Sequence, residues 1–243
     1  MITSGFPDER CASISENLKV IRENIASAAA RSGRDYSDIN LMAVTKTVPV
    51  EYINYSIDNC GVNLIGENKV QEFLLKKPEL HLDGVEKHII GHLQSNKVKK
   101  IVPLVDMIQS VDSFHIASEI SKRSAEAGIV SKILLEINIG AEESKTGFDK
   151  AALFESLYQI SELGSITVNG VMTIPPICDD KKTLCGYFDS MAAIFTEIKE
   201  CGFANFDMRI LSMGMSGDYV EAIENGSNMV RIGSLIYGAR VYK

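Results

Sequence analysis

The 243-residue chain has no Cys-x-x-Cys pair, no apolar run of membrane length, no excess of basic charge and no linker-like stretch. Its five cysteines, Cys11, Cys60, Cys178, Cys185 and Cys201, are odd in number and scattered. That pattern excludes a zinc knuckle and a disulfide framework, and points to a reducing cytoplasm. A membrane span needs about 20 consecutive apolar residues, and none is present, so no membrane partner is expected. The start, Met1 to Arg10, is polar with Pro7 and two acids, unlike a secretory signal. A net charge of −7 argues against nucleic acid as a partner, because phosphate backbones are held by clustered Lys and Arg. The one basic run, Lys97-Val98-Lys99-Lys100, is expected to be a solvated helix face.

What remains is an ordinary globular composition, 45% hydrophobic and 23% charged, with enough chain for a sizeable core. Ile14, Leu18, Ile21, Ile25 and Ala28 recur at helical spacing and predict a helix from about Ser13 to Arg31, stopped near Gly33. Short apolar runs then alternate with helical stretches. The runs are Ile39 to Val44, Asn63 to Gly66, Lys87 to Gly91, Met107 to Ser110, Lys132 to Ile137, Thr167 to Met172, Met208 to Leu211 and Met229 to Ile232. Their repeat of about 20 to 40 residues is that of βα units. Gly61, Gly128, Gly164 and Gly202 each follow a helical stretch and suit left-handed caps. The expected fold is α/β: a single (β/α)₈ TIM-type barrel over residues 1–243, preceded by one extra helix. An open doubly wound sheet is the rival.

In such a barrel the chemistry lies after the C-terminal ends of the strands. The first run ends in Thr45-Lys46, where desolvation would make the amine a better nucleophile; the same Lys could simply begin a solvated loop. After the second run, Asn68 could meet a ring hydroxyl or cap the next helix. His88 and His92 lie four apart on the third, but no third metal ligand accompanies them, so no metal is expected. The seventh run leads into the small, glycine-rich Ser212-Met213-Gly214-Met215-Ser216-Gly217-Asp218. Asp218 and Glu221 there have capping-box spacing. The eighth leads into Arg231-Ile232-Gly233-Ser234. Loops of small residues after strands seven and eight form the phosphate site of many barrels. A lysine facing such a cup describes a phosphorylated aldehyde held at both ends.

Six stretches carry a resemblance: Ala43-Val44-Thr45-Lys46, Ile65-Gly66-Glu67-Asn68, Ile89 to Lys97, Gly170 to Pro176, Leu211 to Ser216, and Val230 to Gly233. In this order they resemble the pyridoxal phosphate homeostasis protein family, which is related to the barrel domain of bacterial alanine racemase. The resemblance implies pyridoxal phosphate as cofactor, held as a Schiff base on Lys46. It also implies Ser212, Gly233 and Ser234 at the phosphate, Asn68 near the ring and Arg231 near the pyridine nitrogen. Lys69 departs from the Tyr often found there in relatives. An Arg beside the nitrogen disfavours its protonation and weakens the ring as an electron sink.

The expected function is a non-catalytic carrier that buffers and delivers pyridoxal phosphate, acting as a monomer, with apo pyridoxal phosphate-dependent enzymes as candidate recipients. The alternative is an amino-acid racemase working from the barrel alone. It would need an acid–base group opposite Lys46, for which Tyr219, Tyr237 and His92 are the candidates. A second racemase-type domain is not expected, since little chain follows the last strand. A cofactor-free aldolase using Lys46 is a third reading.

Overall fold

The computed structural model describes residues 8–142 and 146–238. The polar start from Met1 to Pro7 lies outside them. The expected barrel is found. Its strands are β1 (Asn40–Val44), β2 (Leu64–Glu67), β3 (Glu86–Ile89), β4 (Met107–Val111), β5 (Ser131–Ile137), β6 (Ile166–Thr173), β7 (Phe206–Ser212) and β8 (Met229–Ile232). They pair in sequence order, all parallel, and β8 returns to β1 through Met42 opposite Arg231 and Ala43 opposite Ile232. Closure removes the open-sheet rival.

The helices are α1 (Glu9–Arg31), α2 (Val50–Cys60), α3 (Val70–Lys76), α4 (Ser95–Ile101), α5 (Phe114–Ala127), α6 (Lys150–Ser161), α7 (Lys181–Glu200), α8 (Tyr219–Glu224) and α9 (Ser234–Tyr237). Helix α1 starts five residues before its apolar face does. Asp8 supplies the cap, its carboxylate accepting the Cys11 N–H at 2.8 Å, and periodicity is blind to such a polar first turn. Gly61 and Gly128 close α2 and α5 in the left-handed conformation, and Gly202 follows α7 with φ 64°. Gly164 differs: α6 ends on Glu162 in the right-handed region, so that glycine caps nothing.

Side-chain alternation divides the core in two. Ala43, Ile65, Ile89, Ile108 and Leu135 point outward and are buried beneath the helices. Met42, Val44, Leu64, Ile90 and Met229 form a smaller apolar cluster inside the barrel. Helix α1 buries Ile14, Leu18, Ile21, Ile25 and Ala28 against α2, α8 and α9. Its first turn therefore stands at the end of the barrel where β1 and β8 finish. Lys99 and Lys100 are exposed on α4, as a solvated face requires. Among the described residues the cysteines are free, and no helix is long and apolar enough to cross a membrane.

Leu18 is fully buried. Leu18→Ala should lower unfolding free energy by about 2–5 kcal/mol, read from urea melts. A loss below about 1 kcal/mol would mean that α1 is not integral to the core.

Candidate functional site

At the C-terminal end of the strands lies a cavity of about 1080 Å³. It is lined by Lys46 after β1, Asn68 after β2, Met215, Ser216 and Gly217 after β7, and Arg231, Gly233 and Ser234 at the end of β8. The first turn of α1 contributes Glu9, Arg10 and Ser13 to its rim. Five of the six residues singled out in the sequence are thus together. Ser212 is the sixth, and it does not line the cavity.

Two small loops meet on one side. Ser216 Oγ stands 3.5 Å from the backbone N–H of Leu235, in the first turn of α9. A helix start leaves its first N–H groups without intrahelical acceptors; Leu235 N–H points to Ser216 Oγ, while Ser234 borders the cavity. Gly233 makes room for this turn, since a Cβ there would come within 3.2 Å of the Val44 carbonyl oxygen. Ser216, part of the glycine-rich stretch but not singled out in the sequence, lines the cavity. Its position at the far end of the glycine-rich loop, nearest the next helix, was the available signal.

Asn68 does not cap α3, whose N-cap is Lys69. Its Oδ1 is buried with no hydrogen-bond partner among the described residues. A buried acceptor left open is uncommon in a finished core and marks a place where a ligand donor fits.

Arg231 is 3% exposed. Its Nη1 donates to Ser212 Oγ and its Nη2 to the Thr173 carbonyl oxygen, both at 2.7 Å. Burial pulls its pKa down to about 10, while Asp218 and Glu136 pull it back up, so it remains a cation at neutral pH. Ser212 in turn donates to Gln109 Oε1 at 2.8 Å. Its hydroxyl therefore meets Gln109 and Arg231 inside the barrel, and Ser212 is not among the residues lining the cavity. Asp218 also departs from expectation. Its side chain does not cap α8 but accepts the Met215 N–H at 2.5 Å, fastening the β7 loop, and burial raises its pKa.

The candidate acid–base groups are engaged with other side chains. Tyr219 is buried and accepts a hydrogen bond from Asn24. Tyr237 touches the cavity, but its hydroxyl is 2.8 Å from Ser56 Oγ, and burial pushes its pKa up to about 12. His92 lies beyond the end of β3, is not among the lining residues, and pairs with Asp112 at 2.9 Å. His88 is buried inside the barrel against Gln109. The two histidines therefore share no face, and no cluster that could hold a metal occurs among the described residues.

Residues 17–241 match the family model for the alanine racemase N-terminal domain. A pyridoxal phosphate homeostasis protein from Aquifex aeolicus is 40% identical over 93% of this chain and 98% of its own length. The chain belongs to the pyridoxal phosphate homeostasis protein family. A crystal structure of an unknown protein from Bifidobacterium adolescentis superposes with a TM-score of 0.90 at 35% identity, covering 96% of this chain and 98% of that one. PipY of Synechococcus elongatus, solved with pyridoxal phosphate bound, gives 0.81 at 30% identity over 93% of this chain and all of PipY. Family membership accounts for the ordered motifs, and the geometry adds that the β7 loop presents Ser216 to the cavity while Ser212 serves Arg231.

Two outcomes follow for this homeostasis-family barrel. Ser212→Ala strips Arg231 of an acceptor and Gln109 of a donor, so unfolding free energy should fall by about 1–3 kcal/mol; a neutral variant in urea melts would refute the network. Tyr237 has a folded pKa of about 12, above its ordinary 10.0. Its contribution to stability is therefore complete below about pH 10 and is lost as the pH rises through about 12. In an ultraviolet titration, Tyr237→Phe should delete the last phenolate step, and deletion of an early step would contradict the burial argument.

Proposed function

We propose that this chain, working as one barrel domain in the cytoplasm, binds pyridoxal phosphate reversibly through Lys46 and serves as a carrier that stores and releases it. The observation that carries the reading is that Lys46, the open acceptor of Asn68, the Arg231 cation and the Ser216–Ser234 cradle all border one cavity. The residues present fit the group: an amine for an aldehyde, an acceptor for a ring hydroxyl, and hydroxyls with helix-start N–H groups for a phosphate. PipY with pyridoxal phosphate bound supports the same assignment.

When bound, pyridoxal phosphate supplies an aldehyde that joins amines reversibly and a ring that withdraws electrons. Lys46 provides the attachment point. Gly233, Ser234 and Ser216 hold the phosphate. Arg231, kept cationic, disfavours a proton on the pyridine nitrogen and so weakens electron withdrawal. The phenols of Tyr219 and Tyr237 are engaged with Asn24 and Ser56, and His92 is paired outside the lining. This arrangement favours a tether over a two-base racemase. Relatives named for homeostasis agree with it. The recipients would be apo enzymes that use this cofactor, and the carrier would act as a monomer.

Purified protein incubated with pyridoxal phosphate should turn yellow, and borohydride should fix the label on the Lys46 peptide. Lys46→Ala should carry no borohydride-fixed label on that peptide at the same concentration. With L- or D-amino acids in heavy water, the loaded protein should leave the α-proton in place. Rapid exchange from both enantiomers would replace the carrier with the racemase.

A further inference from the structure

We propose that Lys76, together with Glu67 and Glu72, is a positioning residue for Lys46: the three fix the backbone on either side of that lysine and so control covalent attachment of the cofactor, separately from its capture by the phosphate cradle. The inference rests on the pyridoxal phosphate reading above.

Lys76 closes α3, thirty residues from Lys46 in the chain. Its ammonium is mostly buried, with its side chain 13% exposed, and donates to the Thr45 carbonyl oxygen at 2.8 Å, Glu67 Oε2 at 3.2 Å and Glu72 Oε1 at 2.5 Å. Three donors therefore meet three acceptors, the full capacity of a lysine. Glu67 Oε2 also accepts the Thr45 hydroxyl at 3.0 Å, and its Oε1 accepts the Asn68 N–H. Glu72 Oε1 accepts the Thr47 N–H. The residues immediately before and after Lys46 are thus held from one side by the same charged cluster.

The held conformation is one the chain would not choose unaided. Thr47 has φ 62°, a left-handed value that β-branched residues rarely adopt because the side chain crowds the backbone. Such a conformation persists only where surrounding bonds over-determine it, and the Glu72 acceptor supplies one of them. Lys76 also offsets the repulsion between the two carboxylates. Without it, burial would favour a protonated Glu67, whose pKa burial already raises, and the hydrogen bonds to Thr45 would rearrange. Lys76, Glu67 and Glu72 are absent from the cavity lining, and the bonds to Thr45 and Thr47 connect them to the backbone on both sides of Lys46.

The test is a double-mutant comparison on the full chain, with pyridoxal phosphate as probe. The borohydride-fixed fraction and the absorbance of attached cofactor are measured across a titration for the unsubstituted protein, Lys76→Met and Lys76→Arg. Capture without attachment is measured by equilibrium dialysis for Lys46→Ala and for Lys46→Ala with Lys76→Met. Lys76→Met should lower the attachment equilibrium about tenfold or more, the scale of releasing one strained residue, with partial rescue by Lys76→Arg. The two Lys46→Ala proteins should bind within about twofold of each other, as independent effects do. Should Lys76→Met fold poorly, Glu72→Ala, at a half-buried site, should reduce attachment in the same direction. Unchanged attachment in Lys76→Met, or an equal loss of capture in the Lys46→Ala background, overturns the positioning role and leaves the binding reading intact. Failure of the unsubstituted protein to take up pyridoxal phosphate overturns both.

Discussion

A guanidinium buried inside a barrel has to be answered by acceptors on several strands at once, and Arg231 organises this molecule around that demand. An unanswered charge at such depth costs several kcal/mol. Its partners come from β7 through Ser212 and from β6 through the Thr173 carbonyl oxygen, with Asp218 and Glu136 nearby as balancing charges. The polar chain then runs down the barrel interior. Ser212 donates to Gln109, and the Gln109 amide nitrogen meets His88 Nδ1 at 2.9 Å. Because Gln109 Oε1 accepts from Ser212, its Nε2 is the donor toward His88. The other ring nitrogen of His88, Nε2, lies 3.4 Å from Glu86 in a geometry short of a hydrogen bond.

This interior chain and the cluster around Lys76 have a common logic. Each lies behind a residue that faces the cavity, and each fixes that residue without touching a ligand. Arg231 is steadied by Ser212, and the backbone around Lys46 by Lys76 and its carboxylates. Barrel closure makes the two compatible, since Met42 of β1 lies opposite Arg231 of β8, which brings the lysine loop and the anion cradle to one mouth. At that mouth Arg231 stands as a buried cation, and the phenols of Tyr219 and Tyr237 are engaged with Asn24 and Ser56.

The eight strands were legible because each is a short apolar run between helical stretches, and Met229 to Ile232 matched to the residue. The start of α1 was not, because Asp8 and the polar first turn leave no hydrophobic trace. Lys46, Asn68, Gly233 and Ser234 were legible as residues just beyond strand ends, and Arg231 as a charge near the end of β8. Ser212 and Ser216 show the limit. Both are small polar residues of one motif, but Ser212 ends β7 and points into the barrel, while Ser216 lies in the loop fastened by Asp218 and reaches the cavity.

The sequence by itself determined the βα repeat, the order of the motifs and the family, because periodicity and residue type at strand ends are local properties. Only the tertiary structure decided what each polar side chain does. Whether Ser212 meets a ligand or Arg231, whether Tyr237 is available or tied to Ser56, and whether Lys76 is a surface charge or a brace behind Lys46 all depend on partners between 19 and 181 residues away. Hydrogen bonds across such separations are set by barrel closure and burial, which no local pattern records.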